Sequence, residues 1–187
     1  MTMHINNTCR AANFALRKIG QIRKYLDHGT AEKLVHAFIT SRLDYCNSLL
    51  IGLPECELVK LQHVQNAAAR MVTRVKKCHH ITPVLYELHW LPVRKRVVFK
   101  VLLLTYKALH GIAPKYISEL LTEHKPVRSL RSGAKHLLKQ VRTCTAYGDR
   151  SFAAAAPKLW NELPLAVKCA ESLQCFKSLL KTHLFKS

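Results

Sequence analysis

The sequence predicts an all-α protein, a basic helical bundle with a long basic loop and little or no sheet. Apolar residues recur every three to four positions over most of the chain, as on one face of a helix. No stretch alternates with period two for more than a few residues. Of the 187 residues, 49% are hydrophobic, which is enough for one domain with a real core or two small, closely packed ones.

Two amphipathic helices are predicted first, over about 9–26 and about 31–50. Asp27 to Gly29 should end the first, and the Thr30 hydroxyl can cap the second, which should stop at Gly52. The apolar side of the first comprises Ala12, Leu16, Ile19, Ile22 and Leu26, and that of the second comprises Leu34, Val35, Phe38, Ile39 and Leu43.

The third predicted helix, about 55–77, has the clearest separation of two faces. One arc is apolar and is expected to pack into the core: Leu58, Leu61, Val64, Ala68, Met71, Val72 and Val75. The opposite arc is basic and polar: Lys60, His63, Asn66, Arg70, Arg74 and Lys77. This face is either a solvated surface or a surface that contacts phosphate.

The central helix is predicted over 93–109, after Pro92 in the first turn and before Gly111 as a stop. Apolar side chains cover most of its circumference, so it should be buried nearly all round. One basic stripe remains, formed by Arg96, Lys100, Lys107 and His110 and shared with Leu103. A membrane span is the weaker alternative, because Lys100 splits an apolar run already shorter than the roughly 20 residues that a bilayer needs.

The domain organisation follows from a change of composition after residue 123. Residues 1–123 are predicted to form a helical domain, and 124–150 a long basic loop with Pro126 and Gly133 as breakers. Residues 151–187 should form a carboxy-terminal helical segment. A loop of such length in a compact domain is usually functional or disordered.

The formal net charge of +19, from 30 Lys and Arg against 11 Asp and Glu, points to an anionic partner. Nucleic acid is the commonest polyanion, and an anionic membrane surface or a solvated basic surface are the alternatives. We expect RNA or DNA as partner, bound through phosphate without sequence preference. The residues expected to make these contacts are Lys60, Arg70, Arg74, Lys77, Arg94, Lys95, Arg96, Lys100, Lys107, Arg128, Arg131 and Lys135.

The seven cysteines are scattered, and no two are separated by two residues. This usage favours a reduced intracellular compartment, nuclear or cytoplasmic. The first ten residues lack the apolar core of a secretory signal. The sequence leaves the oligomeric state open.

Residues for catalysis are not recognisable. The three aspartates are isolated, and no glutamate forms a paired motif with them, so metal-dependent nucleotidyl transfer or hydrolysis has no candidate site. We expect no cofactor and no metal. A zinc site at Cys78, His79, His80 and His89, with Cys56 and His63 as the nearest candidates for a second ligand pair, is the weaker alternative to ordinary surface histidines.

Aromatic residues near basic ones could stack on bases. The candidates are Tyr86, Trp90, Tyr106, Tyr116 and Tyr147. The competing interpretation, that Trp90 and Trp160 are core anchors, is favoured because large aromatic side chains are usually buried.

Several long motifs carry a resemblance to a known family: SRLDYCNSLLIGLP (41–54), LQHVQNAAARMVTRVKK (61–77), and HHITPVLYELHWLPVRKRVVFKVLLLTYKALHGIAPKYISELL (79–121). They are followed by YGDRSFAAAAPKLWNELP (147–164) and FKSLLKTHLF (176–185). Together they resemble the carboxy-terminal region of the reverse-transcriptase polyprotein of LINE-type, jockey-like non-LTR retrotransposons. The resemblance covers essentially the whole chain.

The resemblance implies a piece that follows the fingers, palm and thumb of an RNA-directed DNA polymerase. The family's polymerase motif, an aromatic residue and alanine before paired aspartates, has no counterpart here, nor does the cysteine and histidine knuckle of some relatives. No catalytic residue is therefore carried over. The alternatives to a nucleic-acid-binding fragment are a helical scaffolding piece that docks on the upstream polymerase domain and a non-functional remnant.

Overall fold

The computed structural model describes residues 1–124 and 136–186. Within them the regular structure is helical, and the only strand-like pairing is an isolated bridge between Glu123 and Leu138, so the all-α prediction is confirmed. The chain divides into two compact units, Met1–Arg96 and Val97–Ser187. This division falls inside the helix that spans Val93–Leu109.

The first helix of the first unit, α1, spans Thr2–Ile22 and continues as a 3-10 turn, Arg23–Tyr25. It begins seven residues before the predicted start, because Ile5 extends the buried face. The buried side chains are Ile5, Ala12, Leu16 and Ile19. Ile22, which was predicted to face inward, is 45% exposed, because the helix ends there.

The second predicted helix is shorter than expected and contains a π-helical segment. It comprises α2 (His28–Val35), the π-helix (His36–Thr40) and α3 (Ser41–Asp44), and a separate 3-10 turn (Asn47–Leu50) follows. The helical path stops where Cys46 adopts a left-handed conformation, with φ 52°.

The residue that caps α2 is Asp27, not Thr30 as predicted. The Asp27 carboxylate accepts a hydrogen bond from the Thr30 backbone N–H at 3.1 Å. Hydrogen bonds from Thr30 lower the pKa of Asp27 from its usual value.

The third predicted helix, α4, spans Glu55–Thr73 and so ends four residues before the predicted limit. Arg74 is left-handed, with φ 58°, and terminates it. The apolar face packs as predicted, with Leu58, Leu61, Val64, Ala68 and Val72 buried. A short helix, α5 (Ile81–Glu87), follows and packs against α4. Trp90 after it is 4% exposed, in agreement with its predicted role as a core anchor.

Helix α6 spans Val93–Leu109, which agrees with the prediction. Its buried side chains include Val97, Val101 and Tyr106, whereas Lys100 is exposed. Val98 and Leu104 are half-buried, so the buried face is narrower than predicted. No helix among the described residues is long and apolar enough to cross a membrane.

The second unit contains five further helices and a cluster of three aromatic rings among its described residues. The helices are α7 (Lys115–Ser118), α8 (Ala146–Asp149), α9 (Phe152–Glu162), α10 (Leu165–Lys168) and α11 (Leu173–Lys186). The ring of Phe176 lies 4.2 Å from that of Tyr106 and 6.1 Å from that of Trp160, measured between centroids. Trp160 is 2% exposed, so it is a core anchor as predicted.

Candidate nucleic-acid interface

A basic cleft lies between the carboxyl ends of α1 and α4 in the first unit, with a volume of about 590 Å3. Its lining residues are Gly20, Arg23, His63, Asn66, Ala67, Arg70, Met71, Arg74, Val75, Lys76 and Lys77. Five of these carry a positive charge, and no described Asp or Glu lines the cleft. We call it the α1–α4 cleft.

Arg23 holds the two helix ends together. The last carbonyls of a helix lack partners within it. The Arg23 guanidinium donates from Nε to the Met71 carbonyl at 2.8 Å and from Nη2 to the Val72 carbonyl at 2.7 Å. Its Nη1 donates to the Leu26 carbonyl at 2.8 Å. One side chain thus caps the carboxyl end of α4 and also fixes the turn after α1.

Arg74 makes the reciprocal contact. Its Nη2 donates to the Arg23 carbonyl at 3.2 Å and to the Leu26 carbonyl at 3.3 Å. These bonds explain why a non-glycine residue keeps a left-handed conformation at this position. Burial and then the charge of Arg74 lower the pKa of Arg23, and Asp27 acts in the opposite direction. The two guanidinium groups therefore repel each other at close range.

Helix dipoles account for only part of this positive charge. A helix carboxyl end carries about half a negative charge, so two of them together carry about one. The cleft is lined by five cations. The dipoles thus leave a surplus of about four positive charges, which an external anion would neutralise.

The cations differ in how much of their hydrogen-bonding capacity is already used. Arg70 donates from Nη2 to the His79 carbonyl at 3.3 Å, and its buried Nε has no partner within the described residues. Lys76 and Lys77 are exposed, and their ammonium groups make no hydrogen bond or ion pair to any described residue. These three side chains are therefore available to an anion, whereas Arg23 is used in the fold.

The structure gathers three of the predicted contact residues in this cleft: Arg70, Arg74 and Lys77. His63 and Asn66 from the same predicted face also line it. Arg74 and Lys77 lie beyond the end of α4 and not on its helical face, contrary to the prediction, because the left-handed Arg74 terminates the helix.

Three other predicted residues form ion pairs within the fold. Arg94 pairs with Glu55 at 2.9 Å at the surface, where such pairs stabilise little. Lys60 pairs at 3.0 Å with Glu57, whose side chain is only 15% exposed. Arg96 contacts both carboxylate oxygens of Asp44, at 3.0 and 2.9 Å. It also donates from Nε to the Leu91 carbonyl at 3.0 Å. With its side chain only 14% exposed, Arg96 is mainly a structural residue.

The remaining predicted residues do not line the cleft. Lys100 is exposed on α6, and Lys95 and Lys107 on the same helix are half-buried. The predicted contacts Arg128, Arg131 and Lys135 lie outside the described residues, in the segment 125–135.

Sequence reasoning missed Arg23 and Lys76 as lining residues. Arg23 lies near the end of the first predicted helix and is not part of its apolar side. Its position at the end of an amphipathic helix is a usable signal, because cations at such ends bind the last carbonyls. Its actual partners are 48 and 49 residues away, a pairing that periodicity does not reveal.

The histidine and cysteine cluster does not converge into a metal site in the described parts of the chain. Cys78, His79 and His80 are all exposed. No group of three or more His, Cys, Asp or Glu side chains among residues 1–124 and 136–186 is placed to hold a metal ion.

Substituting Arg96 tests whether this cation stabilises the fold without contributing to nucleic-acid binding. Arg96→Ala should lower the free energy of unfolding by about 2 kcal/mol, because it removes bonds to Asp44 and Leu91 from a mostly buried group. Urea unfolding followed by circular dichroism measures this. The salt dependence of nucleic-acid binding should be unchanged, and Lys100→Ala, at an exposed position on the same helix, should change stability by less than about 0.5 kcal/mol.

Comparisons of the chain with protein-family models, with curated proteins and with solved structures found no match.

Proposed function

We propose that this chain is a non-catalytic, nucleic-acid-binding fragment of a retrotransposon reverse-transcriptase polyprotein. It binds RNA or DNA through phosphate contacts, and the α1–α4 cleft is the principal contact surface. The observation that carries the binding proposal is the collection of five cations in one cleft that no described acidic residue lines. The proposed origin rests on the resemblance of the sequence motifs alone.

The chemistry of the cleft suits phosphate. Arginine and lysine on a rigid scaffold bind phosphate oxygens by charge and by donated hydrogen bonds. Arg70 projects from α4, and Arg23 ties the end of this helix to α1. Lys76 and Lys77 lie in the turn after α4, where the His79 backbone N–H donates to the Lys76 carbonyl at 3.2 Å. None of these contacts reads a base, so binding through them alone has no sequence preference.

Salt titration tests this function. A fluorescein-labelled single-stranded oligonucleotide should bind with an affinity that falls about 50-fold between 50 and 200 mM salt. That loss corresponds to about four phosphate contacts, each with a slope of about −0.7 in log affinity against log salt. The measurement is fluorescence anisotropy on the 187-residue chain. Affinity that is absent at 50 mM salt, or indifferent to salt, would contradict the function, as would binding to anionic lipid vesicles in place of oligonucleotides.

A second candidate, the scaffolding piece that docks on a polymerase core, is favoured by exposed apolar residues in the second unit. Ile112, Tyr116 and Leu120 are 56%, 70% and 47% exposed. Exposed apolar side chains that lie together on a surface are typical of protein interfaces. Hydrophobic-dye binding by a folded chain that has no affinity for nucleic acid would favour this candidate over the first.

A further inference from the structure

The α1–α4 cleft has an apolar floor beneath its basic rim. Gly20 and Ala67 expose backbone and small side chains, and Met71 and Val75 supply half-buried apolar surface. The volume of about 590 Å3 is in the range of small-molecule sites. A surface that only followed a phosphate backbone would need the cations but not the apolar floor.

One amide side chain that lines the cleft, Asn66, has a hydrogen-bond donor that the described fold does not use. The Val93 backbone N–H donates to Gln62 Oε1 at 2.8 Å, so the Gln62 amide has only one possible orientation. Gln62 Nε2 then donates to Asn66 Oδ1 at 2.7 Å. The Asn66 Nδ2 group has no acceptor among the described residues, and Asn66 is one of the residues that line the cleft.

The apolar floor, the Asn66 amide and the cations of the rim match the parts of a nucleotide that a single strand exposes. The faces of an unpaired base are apolar, its edge carries acceptors for an amide N–H, and its phosphates are anionic. A base inside a duplex is stacked on both faces and cannot enter a cleft. Only an unpaired nucleotide can contact the floor, the Asn66 donor and the rim together.

We propose that the α1–α4 cleft takes one unpaired nucleotide of a single-stranded RNA or DNA. The base lies on the floor formed by Met71 and Val75 and accepts a hydrogen bond from Asn66. Its flanking phosphates contact Arg70, Lys76 and Lys77. This inference rests on the proposed nucleic-acid binding and adds to it a preference for single strands over duplexes.

A steric variant that changes no charge tests this inference. A Cβ atom at Gly20 would lie 3.6 Å from the Met71 methyl, an ordinary van der Waals contact, so the first atom of a side chain is accommodated there. The rest of a leucine side chain would then extend over the floor. Gly20→Leu also improves the helix propensity of α1. We expect its affinity for a single-stranded oligonucleotide to fall about tenfold, while its affinity for a duplex of the same sequence is unchanged.

The matched control is Asn13→Leu, which adds the same side chain at an exposed position of α1 that does not line the cleft. It should bind like wild type. Ala67→Leu narrows the cleft from α4 and provides a second test if Gly20→Leu does not fold, as judged by circular dichroism. Gly20→Leu and Ala67→Leu both retain the positive charges of the rim.

The outcomes separate this inference from the function on which it rests. Wild type should bind the single strand about tenfold more tightly than the duplex at the same salt. Equal binding of the two, or wild-type single-strand binding by a folded cleft variant, would overturn the unpaired-nucleotide site while leaving salt-dependent binding intact. Loss of all salt-dependent binding in wild type would overturn both.

Discussion

Replacing Arg23 with alanine should lower the free energy of unfolding of the first unit by about 2–3 kcal/mol. The substitution removes three hydrogen bonds, to the carbonyls of Met71, Val72 and Leu26. It also removes a positive charge from the carboxyl end of α4, where the helix dipole favours it. Urea unfolding followed by circular dichroism measures the change.

Two companion variants show whether geometry or charge is responsible. Arg23→Lys keeps the charge but cannot donate to all three carbonyls as the planar guanidinium does. It should therefore recover less than half of the lost free energy of unfolding. Arg17→Ala removes an exposed arginine from α1 and should change stability by less than about 0.5 kcal/mol. Equal stability of Arg23→Ala and wild type would show that solvent satisfies these carbonyls as well as the guanidinium does.

Replacing both Lys76 and Lys77 with glutamine should weaken single-strand binding on the order of 50-fold at 50 mM salt. Each lysine lines the cleft with an ammonium group that has no partner among the described residues. The slope of log affinity against log salt should become shallower by about 1.4, which is two contacts at about 0.7 each. Stability should change little, because neither side chain packs against the core.

The matched control removes the same charge from a different surface. Lys115 and Lys158 are exposed in the second unit and line no part of the cleft. Lys115→Gln with Lys158→Gln should leave the slope within about 0.3 of the wild-type value. If both double variants weaken binding equally, net charge and not the α1–α4 cleft determines affinity.

The sequence was sufficient to predict a helix limit where residues next to the helix determine it. Helix α6 was predicted at Val93–Leu109 because Pro92 and Gly111 bound it in the sequence itself. The limit of α4 was missed because Arg74 takes its left-handed conformation with the help of carbonyls 48 and 51 residues away. A pattern with a period of 3.6 residues carries no information about such a contact.

The candidate site was predictable to the same extent. The two-faced pattern of the third predicted helix was sufficient to place His63, Asn66 and Arg70 on one surface. Helical periodicity could not distinguish free cations from paired ones. Arg96 on α6, for example, pairs with Asp44, which lies 52 residues earlier in the sequence. Nor could periodicity reveal the apolar floor, which forms only where the ends of α1 and α4 meet at Gly20 and Met71.

The most direct test of the central claim compares salt slopes for single-strand binding between wild type and the Lys76→Gln, Lys77→Gln variant. We predict a wild-type slope of about −3 and a variant slope shallower by about 1.4. Identical slopes, measured on two proteins with the same circular dichroism spectrum, would show that nucleic acid does not contact the α1–α4 cleft through these lysines.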